Sequence, residues 1–201
     1  MSLWSTHVVP VLVEKACRSR AILEERARWI PRAHGDVLEV GIGSGLNLAF
    51  YGAAVTRVTG VDPSPQLLAK ARTRIEHTPV ELVEASAERL PFDARSFDSA
   101  VVTYSLCSIP DPARALAEVR RVLRPGGELV FVEHGLAPEP RVQRWQRRLT
   151  PVWRRVGGGC RLDRDIAALL RAAEFDIADH TAAYTEGASW LSFTYQGVAR
   201  T

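Results

Sequence analysis

The run Val37-Leu-Glu39-Val-Gly41-Ile-Gly43-Ser-Gly45 joins an apolar stretch to three closely spaced glycines. A buried strand that ends in such glycines can turn sharply, and its backbone can approach a ligand with no Cβ in the way. A helix opening after the turn offers N–H groups that have no partner of their own. Asp62 follows at the end of a second apolar run. An acid so placed can accept both ribose hydroxyls of a bound nucleoside. It can also cap a helix starting at Ser64, and the two roles are compatible. A dinucleotide site wants its third glycine three positions after the second. Here that position is Leu46 and the glycine falls one earlier, at Gly45. The spacing therefore favours a nucleoside ligand of another kind.

Such a site needs a sheet to carry it. From Asp36 onward, short apolar runs alternate with segments of helical period, the pattern of βαβ units and a parallel sheet. Strands are expected at Val37–Val40, Arg57–Val61, Val80–Val83, Phe97–Thr103 and Glu128–Glu133, with closing strands at Phe175–Thr181 and Trp190–Ala199. Helices are expected at Leu46–Ala54, Ser64–Ile75, Pro112–Leu123 and Asp165–Ala173. Pro125-Gly126-Gly127 should stop the third of these. Pro151 should break a basic, aromatic segment, Val142–Val156, into two helices. The fold is thus an α/β, Rossmann-like, seven-stranded and mostly parallel sheet, with helices on both faces and the last strand antiparallel. One domain covers residues 1–201: an N-terminal helical lid over 1–34, and a core over 35–201 with a helical insertion at 138–164.

Composition narrows the function. A chain of 201 residues, 46% hydrophobic and 24% charged, is an ordinary globular domain. No run approaches the roughly 18–20 apolar residues of a membrane span, and the first ten residues lack the plan of a signal peptide. The net charge of +3 is too mild to indicate nucleic acid. Cys17, Cys107 and Cys160 are scattered and odd in number, so neither a metal site nor a disulfide framework is expected, and a cytoplasmic location fits.

Three further segments resemble small class I methyltransferases: Ala85-Ser-Ala-Glu-Arg-Leu-Pro-Phe92, then Ser96-Phe-Asp98, and Leu116–Gly127 "LAEVRRVLRPGG". With the G-x-G-x-G turn they cover roughly Asp36 to His134 in the family's order. Within that class the chain is similar to the methyltransferase-like thiol S-methyltransferases and their bacterial relatives. Leu38–Tyr51 "LEVGIGSGLNLAFY", Leu106–Ile109 "LCSI", Val132–His134 "VEH" and Gly159–Arg164 "GCRLDR" carry the likeness. The resemblance implies S-adenosyl-L-methionine as cofactor, held by Glu39, Gly41, Gly43, Gly45, Asp62, Ser86, Ala87 and Tyr104. Ser86 stands where many relatives have an acid, so backbone groups near Ala87 should contribute more to adenine. The resemblance also implies a small or medium hydrophobic acceptor, with a thiol as its nucleophile. A phospholipid headgroup or small amine is the alternative, and an inactive cofactor-binding protein is the alternative outside enzymology.

Ligands of open α/β sheets lie beyond the carboxyl ends of the strands. The acceptor is therefore expected near Leu106 and Cys107, with Trp4 and His7 from the lid and Trp145 and Asp163 from the insertion. His134 is the candidate general base, since imidazole titrates near neutrality, or else it only shapes the site. Cys107 and Cys160 could line the substrate pocket, but the preferred reading is small, buried apolar residues. The Arg-bordered apolar stripe of Val142–Val156 is expected to pack inward, with membrane contact at most peripheral. A monomer or homodimer is expected.

Overall fold

The computed structural model describes Glu14 and residues 17–201. The core of the sheet follows the expected alternation. β1 (Gly35–Val40), β2 (Val55–Asp62), β3 (Val80–Glu84), β4 (Phe97–Thr103) and β5 (Leu123–His134) are mutually parallel, and β6 (Asp176–Tyr184) and β7 (Phe193–Arg200) complete the sheet. The order is β3-β2-β1-β4-β5-β7-β6, with β7 antiparallel to both its neighbours.

The central strands are buried on both faces, which is why they read as near-continuous apolar runs. Successive side chains alternate between two cores. Leu38, Val40, Ala100, Val102, Leu129 and Phe131 point to one face, while Val37, Val101, Val130 and Val132 point to the other. On the first face lie α3 (Pro112–Val122), through Leu116, Val119 and Val122, and α5 (Ile166–Ala172), through Ile166 and Leu170. On the second lies α1 (Arg20–Trp29), whose Trp29 is fully buried and donates its indole N–H to Gln196 at 2.6 Å. α2 (Pro65–Arg72) follows β2, with Ser64 as N-cap, its hydroxyl accepting from the Leu67 N–H, and a proline in the first turn.

Three elements differ from expectation. The helix over Leu46–Ala54 shrinks to one tight turn at Leu48–Phe50. Asn47 is drawn inward to Glu39 and Thr103, and Phe50 bonds back three residues to Asn47 rather than four. Pro125-Gly126-Gly127 does not merely stop α3. It forms an irregularity inside β5, with Gly126 at φ +76°, between the pairing of Leu123 with Phe97 and that of Glu128 with Ser99. Finally, Pro151 does not split its segment: α4 runs unbroken from Pro140 to Val156. The bond that proline forfeits belongs to the carbonyl of Arg147, an exposed residue that water can satisfy. Of the lid expected over 1–34, residues 1–13, 15 and 16 lie outside the described ones, and 20–29 form α1 against the sheet.

Candidate active site

A cleft of about 420 Å³ lies at the carboxyl ends of β1, β2 and β4. Gly41, Gly43, Asp62, Ser86 and Ala87 are among the residues that line it. Gly41 has φ +68°, and a Cβ there would overlap the Ser105 side chain. Gly43 has φ +55° with open space beside it, so its missing Cβ leaves room on the ligand side. Gly45 is off the cleft, and its lack of a side chain lets the loop lie close on Ala71 of α2, where a Cβ would come within 3.0 Å of the Ala71 Cα.

Asp62 braces the turn. Its Oδ2 accepts from the Gly43 N–H at 3.0 Å and its Oδ1 from the Ser64 N–H at 2.9 Å. Burial raises its pKa, and these two backbone bonds pull it back. Each carboxylate oxygen retains a lone pair for a ligand hydroxyl. Glu39 is placed differently. It is fully buried beneath the loop, accepts from Asn47 at 2.8 Å and from the Tyr51 hydroxyl at 2.8 Å, and does not line the cleft. Burial pushes its pKa up to about 7 against those bonds. Tyr104 does line the cleft, at φ +52°, with its hydroxyl bonded to Glu25. The Ser86 hydroxyl accepts from the Glu88 N–H at 3.2 Å.

Arg26 escaped the sequence reading. It is buried on α1, lines the cleft and donates to Asn47 and, at 3.0 Å, to Thr103. Its Nε is buried with no partner among the described residues. A signal was present: Ile22, Arg26 and Trp29 share one helical face, and a charge on an otherwise apolar face needs a reason. Cys17 also lines the cleft, with its thiol pushed up by burial, and Glu14 bonds Lys70 and Arg74 at 2.8 and 2.7 Å.

Beyond β4 the chain turns over a buried carboxylate. Glu133 Oε1 accepts from the N–H groups of Ser105 and Leu106 at 2.6 and 3.0 Å, and Oε2 from that of Cys107 at 3.2 Å. Burial raises Glu133 to about 7 despite the three donors. Leu106 and Cys107 are themselves buried and sit behind the cleft wall, where their neighbours Ser105, Ser108 and Ile109 are the lining residues. His134 is also buried behind that wall. Its Nδ1 lies 3.8 Å from the Cys160 sulfur, and its Nε2 has no partner among the described residues. The thiols of Cys160 and Cys107 influence each other directly. Cys160 is drawn down to about 5 by the Cys107 thiol and by His134, whereas Cys107 is pushed well up by Cys160 and by burial. Folding thus joins cysteines that the sequence keeps far apart. The link is local: the Arg161 N–H donates to the Cys107 carbonyl at 2.9 Å.

Asp163 pairs with Arg161 at 3.3 Å and does not line the cleft. Trp145 lies on the outer side of α4, half exposed and away from it. Trp4 and His7 lie outside the described residues. Among the described residues no group of His, Cys, Asp or Glu is arranged to hold a metal ion.

Comparison with known proteins places this arrangement. The sequence pattern of the family described as "Methyltransferase domain" matches residues 38–131. The human thiol S-methyltransferase TMT1B is 38% identical over 181 residues, 84% of this chain and 74% of that protein. A phosphatidylethanolamine N-methyltransferase of Cereibacter sphaeroides is 43% identical over 50% of this chain and 51% of its own length. An S-adenosylmethionine-dependent methyltransferase structure from Methanosarcina mazei superposes with a TM-score of 0.64 at 25% identity, covering 85% of this chain and 93% of that one. The chain belongs to the class I S-adenosylmethionine-dependent methyltransferases. Its matches span about three quarters of the length of the human relative and about half of that of the Cereibacter one. Among the described residues no helix is long and apolar enough to cross a membrane.

Proposed function

We propose that the protein methylates a small or medium hydrophobic thiol. The likeness to a thiol S-methyltransferase across most of the chain carries this reading. Ile109 in the cleft wall, with apolar Leu106 and Cys107 behind it, agrees with it. S-adenosyl-L-methionine supplies a methyl group already activated on a sulfonium.

The residues present suit that cofactor. Asp62 faces the cleft with free acceptor capacity for ribose hydroxyls. Gly43 leaves space for close backbone approach. The Arg26 Nε is an orphaned donor beside the cleft, fit for the carboxylate of an amino-acid moiety. Ser86 and Ala87 offer polar groups at the adenine end. Glu39, Asn47 and Glu133 hold the two loops in place from behind, and this rigidity is what aligns nucleophile and methyl.

A thiol ionises near pH 8.5 and needs only modest help at neutral pH. His134 sits off the cleft against Cys160, a position that supports shaping the wall rather than taking the acceptor's proton. Under that reading His134→Ala costs the same for acidic and ordinary thiols at every pH. A loss concentrated at low pH and in weakly acidic thiols would restore it as the base.

The test is transfer of a labelled methyl group to a panel of thiols, amines, phenols and phospholipid headgroups. Thiols are expected to be methylated. The Cereibacter relative supports amine or headgroup methylation as the second reading. Methylation of those acceptors with none of thiols would establish it in place of the first.

A further inference from the structure

α4 carries apolar side chains on its outer face as well as its inner one. Its seventeen residues contain six arginines and no acid. Its buried residues are polar: Gln146 and Thr150. Gln146 accepts from the Ala137 N–H at 2.9 Å and donates to the Gly135 carbonyl at 3.0 Å, and the Thr150 hydroxyl accepts from the Leu162 N–H at 3.3 Å. The helix is thus tied to the protein by hydrogen bonds and by half-buried Val142, Leu149 and Trp153, the last edge-on to Trp190, while a second set of apolar side chains faces outward. Trp145 is 52% exposed, Val152 61% and Val156 38%. At 100° per residue these three fall within one narrow stripe, and Arg141, Arg144, Arg148 and Arg155 fall beside it. None of α4's arginines forms an ion pair among the described residues.

We propose that the outward face of α4 docks on an anionic lipid surface. Charge complementarity selects the partner: unpaired guanidiniums attract a polyanion, and a bilayer rich in acidic headgroups is one. The apolar stripe selects the bilayer over nucleic acid. Valines cannot stack on bases, but they enter the boundary between headgroups and acyl chains, where tryptophan also prefers to lie. The helix has the composition of an interfacial one, with arginine on the polar side and a dense apolar strip beside it. The C-terminal end of α4 adjoins the active site, because Gly158, two residues past it, lines the cleft. Docking does not depend on which acceptor is methylated.

The experiment is co-sedimentation of the whole chain with vesicles of phosphatidylcholine alone, and of phosphatidylcholine with an equal part of phosphatidylglycerol. Binding is expected to the second and not the first, and to weaken as salt is raised. Replacing Arg148 and Arg155 together by Gln should weaken it roughly 25-fold, each arginine near the surface being worth about fivefold. Val152→Asp should abolish it with the circular dichroism spectrum unchanged, since the side chain is exposed. Absence of binding to acidic vesicles at low salt overturns the proposal. So does binding that Val152→Asp leaves intact, a preference for single-stranded RNA over acidic vesicles, or a wild-type dimer that Val152→Asp dissociates in place of any lipid effect.

Discussion

Replacing Glu133 by Gln isolates what a buried carboxylate does for the loop beyond β4. In the native protein the carboxylate receives three backbone N–H groups, from Ser105, Leu106 and Cys107. The Gln carbonyl can keep the two on Oε1, but its NH2 then faces the Cys107 N–H, donor against donor. An unsatisfied buried donor costs about 1–3 kcal/mol. The charge adds a pH-dependent part. Burial raises Glu133 to about 7, above its unfolded value near 4.5. The folded state therefore holds a proton that the unfolded state has released. The stabilisation is full below the unfolded value and is lost as pH rises through about 7. Between roughly pH 5 and pH 8 this group should cost the native protein about 2–3 kcal/mol. Gln never ionises, so its penalty relative to wild type should shrink by that amount over the same interval. Urea unfolding of both proteins near the two pH values measures it. Parallel pH profiles would refute the reasoning, because they would mean that the three N–H donors outweigh burial and hold the carboxylate ionised throughout.

Asp62→Ala should weaken binding of S-adenosylhomocysteine by roughly 10- to 100-fold by calorimetry, because hydrogen bonds to a charged acceptor are worth about 1.5–3 kcal/mol. Unchanged affinity with a lowered melting temperature would make Asp62 a brace for Gly43 and Ser64 alone. Gly41→Ala should cost both stability and affinity, since a Cβ there meets Ser105 in a left-handed backbone, whereas Gly43→Ala should cost affinity more than stability. Equal melting temperatures for the two variants would contradict the geometry. Cys160 should react with iodoacetamide at a rate already level above about pH 6, as its lowered value near 5 requires, and His134→Ala should move that plateau to higher pH. Mass spectrometry of the labelled peptides reads this, and faster labelling of Cys107 than of Cys160 would refute it.

What the sequence disclosed was what local pattern encodes. The parallel strands, the glycine turn and the helix starts at Ser64, Pro112 and Asp165 all rest on residues near one another in the chain. The misjudged elements depend on distant partners. The turn after Gly45 is tight because Asn47 reaches Glu39 and Thr103. α4 survives Pro151 because the carbonyl it orphans belongs to an exposed residue, Arg147. Of its apolar stripe, Val142, Leu149 and Trp153 turn inward as expected while Trp145, Val152 and Val156 face out, because periodicity shows that a helix has an apolar face, not how far that face turns. Arg26 beside the cleft, and Cys107 beside Cys160, come together only through tertiary contacts between segments remote in sequence.

The antiparallel strand β7 has a consequence for how the chain folds. β5 pairs on one side with β4, its near neighbour in sequence, but on the other side with β7, which follows only after α4, α5 and β6. Closing so long a loop is entropically costly and is completed late. Until then β5 exposes an apolar edge of unpaired amides, a template for pairing with another chain. The hairpin of β6 and β7 is local and can form first, arriving as a unit. The polar residues of β7, Thr194 and Gln196, then meet Glu25 on α1, so docking of the hairpin and seating of α1 are one cooperative event. The same event fixes Arg26 at the cleft, so competence to bind cofactor should appear in the final phase of refolding rather than with the early parallel sheet.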